Sequence, residues 1–352
     1  MAYTGIDKSS DYFNTKLYTG TGNSHAITGV GFSPNWVWLK SRSTVQNHLL
    51  FDTVRGATKK IMSNTNDEEQ TEAQYLKSFD SDGFTLGTRS EPNESGETFV
   101  SWNWKAGTSV SGNTTGSGTA KAYTGSVSTT AGFSIIKYLG NGTAGHTIPH
   151  HLGVAPKMII VKSTEGSRSW IVLPPLTDGH DKDLKLNDTD AMGGSDVWNN
   201  VAPNSSAFSV GSNAVMNNND VTLIAYCFAE KQGYSKFGSY TGNGNADGAF
   251  IYTGFKPAFF LQKKSSASGS YWSLWDNKRS ASGSNPIGRR LFPNVSAVES
   301  EQDSSPMADF CSNGVKLRQT DADYNGSGVT YIYMAFAENP FTTSTGVPAT
   351  AR

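Results

Sequence analysis

Short apolar runs alternate with polar turns along the whole chain, and no stretch keeps a helical period for long. Three runs follow a proline and end on a lysine: WVWLK, MIIVK and FFLQK. Three more, TFVSWNW, TLIAYCF and TYIYMAF, are rich in the aromatic and β-branched residues that fit a pleated sheet. Turn signals such as Asp82-Gly83 and Asn313-Gly314 separate the runs. This pattern predicts an all-β fold of antiparallel β-sandwiches, of jelly-roll or lectin-like type.

The same landmarks recur three times along the chain, in one order and at nearly constant spacing. The opening Tyr-Thr-Gly motifs start at Tyr18, Tyr123 and Tyr240, the lysines are Lys40, Lys162 and Lys263, and the asparagines are Asn64, Asn187 and Asn294. In two series the closing aromatic strand ends 20 residues after a landmark phenylalanine, from Phe84 to Trp104 and from Phe208 to Phe228. Such constant spacing predicts three tandem copies of one folding unit.

The recurrence also predicts boundaries. These are an N-terminal lead (1–16), unit one (17–107), a Gly/Ser/Thr linker (108–121), unit two (122–231), unit three (232–341) and a C-terminal tail (342–352). The linker is predicted to be flexible because of its composition. Residues 66–77 (NDEEQTEAQYLK) are predicted to form one or two helical turns, and residues 298–303 (VESEQD) a short helix or a loop.

Charge and hydropathy narrow the function class. The 29 basic and 30 acidic residues give a formal net charge of −1, so we expect binding to neither nucleic acid nor an anionic membrane. No run approaches the roughly 18 apolar residues that cross a bilayer, and we expect no membrane insertion. The start MAYTGIDKSS lacks the basic and apolar regions of a secretory signal. Cys227 and Cys311 are expected to be reduced, because two cysteines in 352 residues form no disulfide framework.

Local motifs give little evidence for a cofactor or metal site. Residues 140–145 match G-x-G-x-x-G, but HTIPHH follows where a dinucleotide site needs a helix, so we interpret a glycine-rich hairpin. His146, His150 and His151 are interpreted as surface or interface residues, because adjacent side chains on an extended strand face opposite ways. The aspartates of residues 79–83 and 181–190 suit turns, with Ca²⁺ binding as the alternative; the distal glutamate of an EF-hand is missing. We therefore expect no cofactor and no metal.

No catalytic motif of the G-x-S-x-G, H-E-x-x-H or P-loop type is present, and we expect a protein that is not an enzyme. Core packing is the favoured interpretation for Trp36, Trp38, Trp102 and Trp104, with a glycan-stacking platform as the alternative. Better candidates for contact with a glycan or a partner are Trp198, Tyr271, Trp272, Trp275, Arg279, Arg289 and Arg290. The arginines suit an acidic sugar or a carboxylate, and a salt bridge to a partner subunit is the favoured alternative for them.

Several longer strings carry a family resemblance over nearly the entire chain. They include GVGFSPNWVWLKSRS, LFDTVRGATKKIMSN, SFDSDGFTLG, FVSWNWKAG, NGTAGHTIPHHLGVAPKMIIVK, GYSKFGSYTGNGNADGAFIYTGFKPAF, DFCSNGVKLR and YIYMAFAENPF. The chain resembles uncharacterised virion-associated and tail-fibre-like structural proteins of marine tailed bacteriophages, including those of cyanobacteria. The resemblance implies a non-enzymatic particle protein that forms oligomers.

From this resemblance we expect a virion structural protein, assembled in the bacterial cytoplasm, that acts by assembly and host-surface attachment. A tail fibre usually has an anchor and a long shaft, so we expect a compact part of the tail-fibre or tail-tip type: a fibre tip, a tail or baseplate decoration, or a decoration of the head surface. The expected partners are other virion proteins, a host-surface glycan and copies of the chain itself, with a trimer favoured by analogy. A soluble lectin-like module is the first alternative, and a polysaccharide-degrading tailspike-type enzyme is the second.

Overall fold

The computed structural model describes residues 3–176, 180–280 and 285–348, and these residues form an almost entirely β protein. Strands account for 44% of the chain and helices for 3%, in several antiparallel sheets. The predicted all-β sandwich fold is therefore confirmed.

The strands are short, as the spacing of turn signals predicts. The first group is β1 (Phe13–Thr19), β2 (His25–Thr28), β3 (Trp36–Ser41), β4 (Leu49–Asp52), β5 (Lys59–Met62), β6 (Gln70–Thr71), β7 (Leu76–Asp80), β8 (Gly83–Leu86) and β9 (Thr98–Trp104), with helix α1 (Ser90–Asn93) and a 3-10 turn (Ser9–Asp11). The second group is β10 (Thr108–Asn113), β11 (Thr115–Gly116), β12 (Ala122–Ser128), β13 (Phe133–Leu139), β14 (His146–Pro149), β15 (Met158–Ser163), β16 (Ile171–Leu173), β17 (Lys182–Lys185), β18 (Gly193–Gly194), β19 (Ala207–Val210) and β20 (Thr222–Phe228), with helix α2 (Ala214–Asn217). The third group is β21 (Ser235–Thr241), β22 (Phe250–Tyr252), β23 (Phe255–Lys264), β24 (Ser273–Asp276), β25 (Arg289–Arg290), β26 (Ser300–Glu301), β27 (Ala308–Cys311), β28 (Gly314–Leu317) and β29 (Thr330–Pro340).

Each group forms one large sheet and one small companion sheet, and the third group adds the two-stranded sheet β25-β26. The first, second and third large sheets have the strand orders β1-β9-β3-β4-β5-β6, β10-β12-β13-β20-β15-β16-β17-β18 and β21-β29-β23-β24. The first, second and third companion sheets are β2-β8-β7, β11-β14-β19 and β22-β28-β27. In every large sheet the closing aromatic strand lies between the opening strand and the strand that carries the landmark lysine, as in β1-β9-β3.

The closing strand of each large sheet is buried on both faces. In β20, Ile224, Tyr226 and Phe228 belong to one cluster shared by all three large sheets. The intervening Ala225 and Cys227 pack in a second cluster, with residues of the companion sheet. Strand side chains alternate between faces, so the outer face of each large sheet packs against its companion and the inner face against the other large sheets. The closing strands therefore read as apolar on both sides.

The shared cluster, called the central core below, is rich in aromatic rings. Trp104, Phe228 and Phe336 meet there, with ring centroids of Phe336 5.7 Å from Trp104 and 6.1 Å from Phe228. Trp36 stacks on Tyr226 of the second large sheet at 4.6 Å. These contacts join all three large sheets, and edge or offset ring pairs add to the stabilisation from buried area. The four tryptophans assigned to packing (Trp36, Trp38, Trp102, Trp104) are fully buried, as expected.

The landmark tyrosine of the second series is Tyr138, and its assignment to Tyr123 is wrong. The hydroxyl of Tyr18 donates to the carbonyl of Pro92 at 2.8 Å, and that of Tyr138 donates to Met216 at 2.9 Å. Tyr240 makes the equivalent bond to Tyr324 at 2.8 Å. Tyr123 instead lies one strand further out, in β12, with its hydroxyl against His151.

The predicted linker is also wrong. Thr108–Asn113 and Thr115–Gly116 form strands, and β10 pairs with β12 along six residues. Residues 66–77 form β6 and the start of β7 in place of helical turns, and residues 300–301 form β26. The sheet edge supplies backbone partners that composition alone does not reveal.

The first and last described segments of the chain lie together. Ile6 packs into the central core, so the lead is part of the folded body. The Ser344 amide and hydroxyl donate to the Asp7 carboxylate at 2.6 and 2.5 Å, and the rings of Tyr3 and Phe341 meet edge to face at 6.1 Å. Residues 1–2 of the predicted lead and 349–352 of the predicted tail lie outside the described residues.

Candidate functional site

Three acidic loops join the large sheets to one another, and each begins at a landmark asparagine. The side-chain oxygens of Asn64, Asn187 and Asn294 accept the backbone N–H groups of His48, Trp170 and Trp272 at 2.9, 2.8 and 3.0 Å. This bond fixes the start of each loop to its own sheet, so that the following residues can reach a neighbour. The recurring asparagine thus has a structural role.

Each loop then pairs with the large sheet that follows it. The backbone N–H of Glu69 donates to Thr164 at 3.0 Å, and that of Met192 donates to Ser265 at 2.9 Å. The N–H of Glu299 donates to Arg42 at 2.9 Å, which returns the series from the third large sheet to the first. The three large sheets therefore form a closed ring around the central core.

The landmark lysines lie buried at these three junctions. The ammonium groups of Lys162 and Lys263 donate to the loop carbonyls of Asn66 and Thr189 at 3.1 and 3.3 Å, and Lys40 donates to Ser41 at 2.7 Å. Burial lowers the pKa of each of these lysines to about 8, because the apolar surroundings disfavour the charged form. Nearby acidic residues oppose this effect, with Glu299 acting on Lys40.

Two junctions contain a buried Asp–Arg pair with the spacing D-x-x-R. Asp52 accepts from Arg55 Nε at 2.5 Å, and the Tyr226 hydroxyl of the second large sheet donates to the same carboxylate at 2.7 Å. Asp276 accepts from Arg279 Nε at 2.5 Å, and Trp102 Nε1 of the first large sheet donates to it at 3.0 Å. In each case a neighbouring sheet completes the hydrogen bonding of a buried carboxylate, which is otherwise costly.

Glu299 extends the second of these networks. Its carboxylate contacts Arg279 at 2.7 Å, Arg42 at 2.8 Å and Arg289 at 3.3 Å. Burial acts to raise the pKa of Glu299, but Arg279 and Arg42 outweigh it and hold that pKa below its ordinary value. A carboxylate with three guanidinium partners stays ionised and links the third large sheet to the first.

Among the described residues, the junction between the second and third large sheets shows no such pair. Pro174 follows β16 where Asp52 follows Phe51 in the first sheet, and Met334 occupies the register of Trp102 and Tyr226, opposite Leu261. A cavity of about 570 Å³ opens beside it, lined by Lys157, Pro175, Leu176, Lys236 and Tyr333 among others.

Four of the seven residues predicted to contact a glycan or a partner are buried, and the prediction is wrong for them. They are Trp198, Trp272, Trp275 and Arg279, each at most 2% exposed. Trp272 Nε1 donates to the Lys185 carbonyl at 2.9 Å, and Trp275 stacks on Phe260 at 5.6 Å. Trp275 fills the interior because β24 is buried on both faces, whereas Trp272 packs in the central core and Trp198 in the cluster under the second companion sheet.

The other three lie nearer the surface. Tyr271 is 41% exposed and packs edge to face on Phe292 at 5.3 Å. Arg289 contacts the carboxylates of Glu299, Glu301 and Asp303. Arg290 lies over the ring of Phe292, with Asp321 and Asp323 each at 3.7 Å. The acidic groups nearest both arginines thus come from this chain.

The histidines and aspartates singled out by sequence belong to separate local structures. His146 contacts Asn217 and Thr114, and His150 contacts the Asn204 carbonyl. Asp82 accepts the N–H groups of Gly29 and Gly31 at 2.9 and 2.6 Å, which ties the turn between β7 and β8 to the loop after β2. Within the described residues no group of three or more His, Cys, Asp and Glu side chains is placed to hold a metal ion.

The G-x-G sequence (residues 140–145) forms a loop that is held by hydrogen bonds to the side chain of Asn217. Asn217 Oδ1 accepts from the Asn141 amide at 2.9 Å, and its Nδ2 donates to Thr143 and Gly211. A Cβ on Gly140 would lie 2.3 Å from the Asn218 carbonyl oxygen, so only glycine fits this approach. Asn93 and Asn325 clasp the equivalent loops through the amides of Thr21 and Asn243.

Sequence reasoning missed both the junction networks and an exposed aromatic pair, Phe250 and Tyr252. The D-x-x-R spacing of FDTVR and WDNKR was a usable signal for the networks. For the pair, the signal was that Phe250 and Tyr252 flank the apolar Ile251. The corresponding strands elsewhere in the chain have no aromatic residues at the flanking positions.

Both cysteines are free thiols, Cys227 in the interior and Cys311 half-buried in the third companion sheet. Among the described residues, no helix has the length and apolar character needed to cross a bilayer. A search of curated proteins found no match, and a search of solved structures found none either. A family model described as a domain of unknown function (DUF7483) matches residues 8–340, and the chain belongs to that family.

Proposed function

We propose that the protein is a non-enzymatic structural component of a tailed bacteriophage particle, at a fibre tip, on the tail or on the particle surface. It acts by assembling with other virion proteins and by attaching the particle to the host surface. The observation that carries the proposal is the closed ring of three large sheets on one aromatic core. Such a body suits a load-bearing part, because no sheet can move without breaking two junctions.

The resemblance to virion-associated and tail-fibre-like proteins supports a place on the phage particle, and the closed ring of large sheets supports a mechanical role there. Interlocking loops at Glu69, Met192 and Glu299 make each large sheet the support of the next. Outer loops and the edge strand β10 remain exposed, and these are the surfaces open to virion partners.

The expected homotrimer can be tested separately. The three-way packing that a trimer of sandwiches would provide is already present within one chain, so a trimer would have to use outer faces. Sedimentation equilibrium of the purified chain measures its state directly. A monomer would remove the trimer from the proposal and leave the particle role standing.

Location in purified particles tests the main proposal. Mass spectrometry of gradient-purified virions from the source phage should detect the chain at a fixed copy number, and antibodies should label one place on the particle. A chain present in the lysate but absent from washed particles would overturn the proposal.

A further inference from the structure

Two neighbouring aromatic side chains are exposed on the outer face of the third companion sheet. Phe250 and Tyr252 are 47% and 57% exposed, whereas Ile251 between them is buried. Residues two apart on a strand point to the same face, roughly 6.6 Å apart. The two rings therefore lie side by side, facing solvent.

The other two companion sheets show that the fold does not require aromatic residues here. Ile251 pairs with Val315, as Ile27 pairs with Phe84 and Ile148 with Phe208, which places the three strands in a common register. The residues that correspond to Phe250 and Tyr252 are Ala26 and Thr28 in the first companion sheet, and Thr147 and Pro149 in the second. The fold thus accepts alanine, threonine and proline at these places and does not require an aromatic ring at either.

The Phe250 ring lies across the sheet. A Cβ added to Gly314, on the neighbouring strand, would come within 2.7 Å of Phe250 Cζ. Because Gly314 has no side chain, the ring can rest over the strand with its other side towards solvent. A ring held in this way offers a flat, rigid surface for stacking.

The surroundings are uncharged overall and contain hydrogen-bonding groups. The ammonium of Lys316, opposite Phe250, contacts Asp247 at 2.6 Å and the Gly248 carbonyl at 2.6 Å. The Tyr3 hydroxyl donates to Gly254 at 2.5 Å, beside Tyr252. A neutral ligand with hydroxyls around an apolar face matches this arrangement.

The size of the exposed surface decides between a small ligand and a protein. About half of each ring is exposed, which amounts to roughly 200 Å² for the pair, whereas a stable protein interface buries about 800 Å² on each partner. A second copy of this chain would therefore find too little apolar surface here. A sugar ring has the right size, and its C–H face stacks on aromatic rings while its hydroxyls stay at the edge.

We propose that Phe250 and Tyr252 form a stacking platform for a neutral saccharide. This deepens the proposed attachment to the host surface and rests on it for the source of the sugar. The saccharide lies on the two ring faces, with its hydroxyls directed towards the Lys316–Asp247 pair and the phenol of Tyr252.

The test compares two variants of the full chain. Phe250→Ala with Tyr252→Thr introduces the residue types found at Ala26 and Thr28, which the fold already accepts at the equivalent register. Tyr271→Ala, which removes an exposed aromatic outside the platform, is the matched control. The probes are neutral hexose and N-acetylhexosamine oligosaccharides, with sialylated and sulfated oligosaccharides for comparison, and binding is followed by saturation-transfer difference NMR.

We expect the native chain to bind at least one neutral probe, the double variant to bind it at least about tenfold more weakly, and the Tyr271 variant to match the native chain. Equal binding by the double variant, binding of acidic probes alone, or binding of no probe at millimolar concentration would overturn the platform. Self-association that the double variant abolishes, measured by sedimentation velocity, would also overturn it in favour of a second copy. Failure here leaves detection in virions unaffected, while saccharide binding by a chain absent from virions would reject the particle role alone.

Discussion

The three junctions of the ring are alike in backbone but differ in what fills them. Two hold a buried carboxylate whose hydrogen bonding is completed by a neighbouring sheet, through Tyr226 for Asp52 and Trp102 for Asp276. The junction between the second and third large sheets has Pro174 and Met334 at those positions. The acid and its donor are absent together, which is physically consistent because either one alone would be a buried polar group without a partner. The ring therefore needs a complete pair or none.

Removing half of a pair should have the largest effect. Arg279→Met leaves Asp276 buried without its guanidinium and takes one partner from Glu299, so we expect a loss of about 3–5 kcal/mol in the free energy of unfolding. Urea denaturation measures it, with Lys278→Met as the control at an exposed neighbouring position. A loss below about 1 kcal/mol would show that the pair contributes little to this junction.

The pH dependence of stability tests the feature that all three junctions share. Folding lowers the pKa of Lys40, Lys162 and Lys263 from 10.5 to about 8. Between these values the unfolded chain binds more protons than the folded chain, so the contribution of these lysines to stability rises with pH from about 8 to 10. Cys227 opposes this above pH 9, because burial raises its thiol pKa to about 12.

Thermal unfolding between pH 7 and 9 should show this rise, and Lys162→Met should reduce its slope by at most about one third, because burial also lowers the pKa of Lys231. Lys157→Met, at an exposed position near the same sheet, is the control. A melting temperature that falls steadily from pH 7.5 to 9 would contradict the lowered pKa values of the three junction lysines.

At the junction between the first and second large sheets, a single hydroxyl completes the hydrogen bonding of the buried carboxylate. Tyr226→Phe removes the donor to the Asp52 carboxylate and should cost about 1.5–3 kcal/mol, as expected for a bond to a charged group. Met334→Leu, at the same register on β29, nearly conserves volume and should cost less than about 1.5 kcal/mol. Equal losses in urea denaturation would mean that packing, and not the hydrogen bond, dominates both junctions.

The smallest predicted difference in the free energy of unfolding tests the assignment of Tyr138, in place of Tyr123, as the landmark tyrosine. Tyr138→Phe breaks a buried hydrogen bond to Met216 and should cost about 1 kcal/mol. Tyr123→Phe should cost less than about 0.5 kcal/mol, because water can replace it at the half-exposed His151. A larger loss for Tyr123 in the same denaturation assay would restore the original landmark.

Sequence alone was enough for the strands, because their period and turn residues are local signals. It was enough too for the burial of Trp36 and Trp104, which lie in runs that are apolar on both sides. It failed for Trp272 and Trp275, because the sequence does not show that β24 lies between two packed layers. Ring closure through Glu299 and Arg42 joins residues more than 250 positions apart, and no local pattern encodes such a pairing.

The failures at Tyr123 and at the linker have a common cause. Tyr-Thr-Gly at Tyr123 matches the first and third series better than Tyr-Leu-Gly at Tyr138, although only Tyr138 has the equivalent contact. The hairpin of β10 and β12 is an addition to the second large sheet, and its serines and glycines are tolerated because β10 is an exposed edge strand. Composition gives the solvent exposure of such a segment and not its backbone pairing.

The meeting of the first and last described segments, through Ser344 on Asp7 and Tyr3 on Phe341, bears on the order of the sequence itself. Because these two segments are adjacent and the three junctions have similar backbone contacts, the fold does not depend on the position at which the chain is opened. A gene that joins residue 348 to residue 3 by a short spacer and opens at the exposed turn near Gly118 would encode the same packing in a rotated order. Circular permutation is thus a property that this architecture already contains.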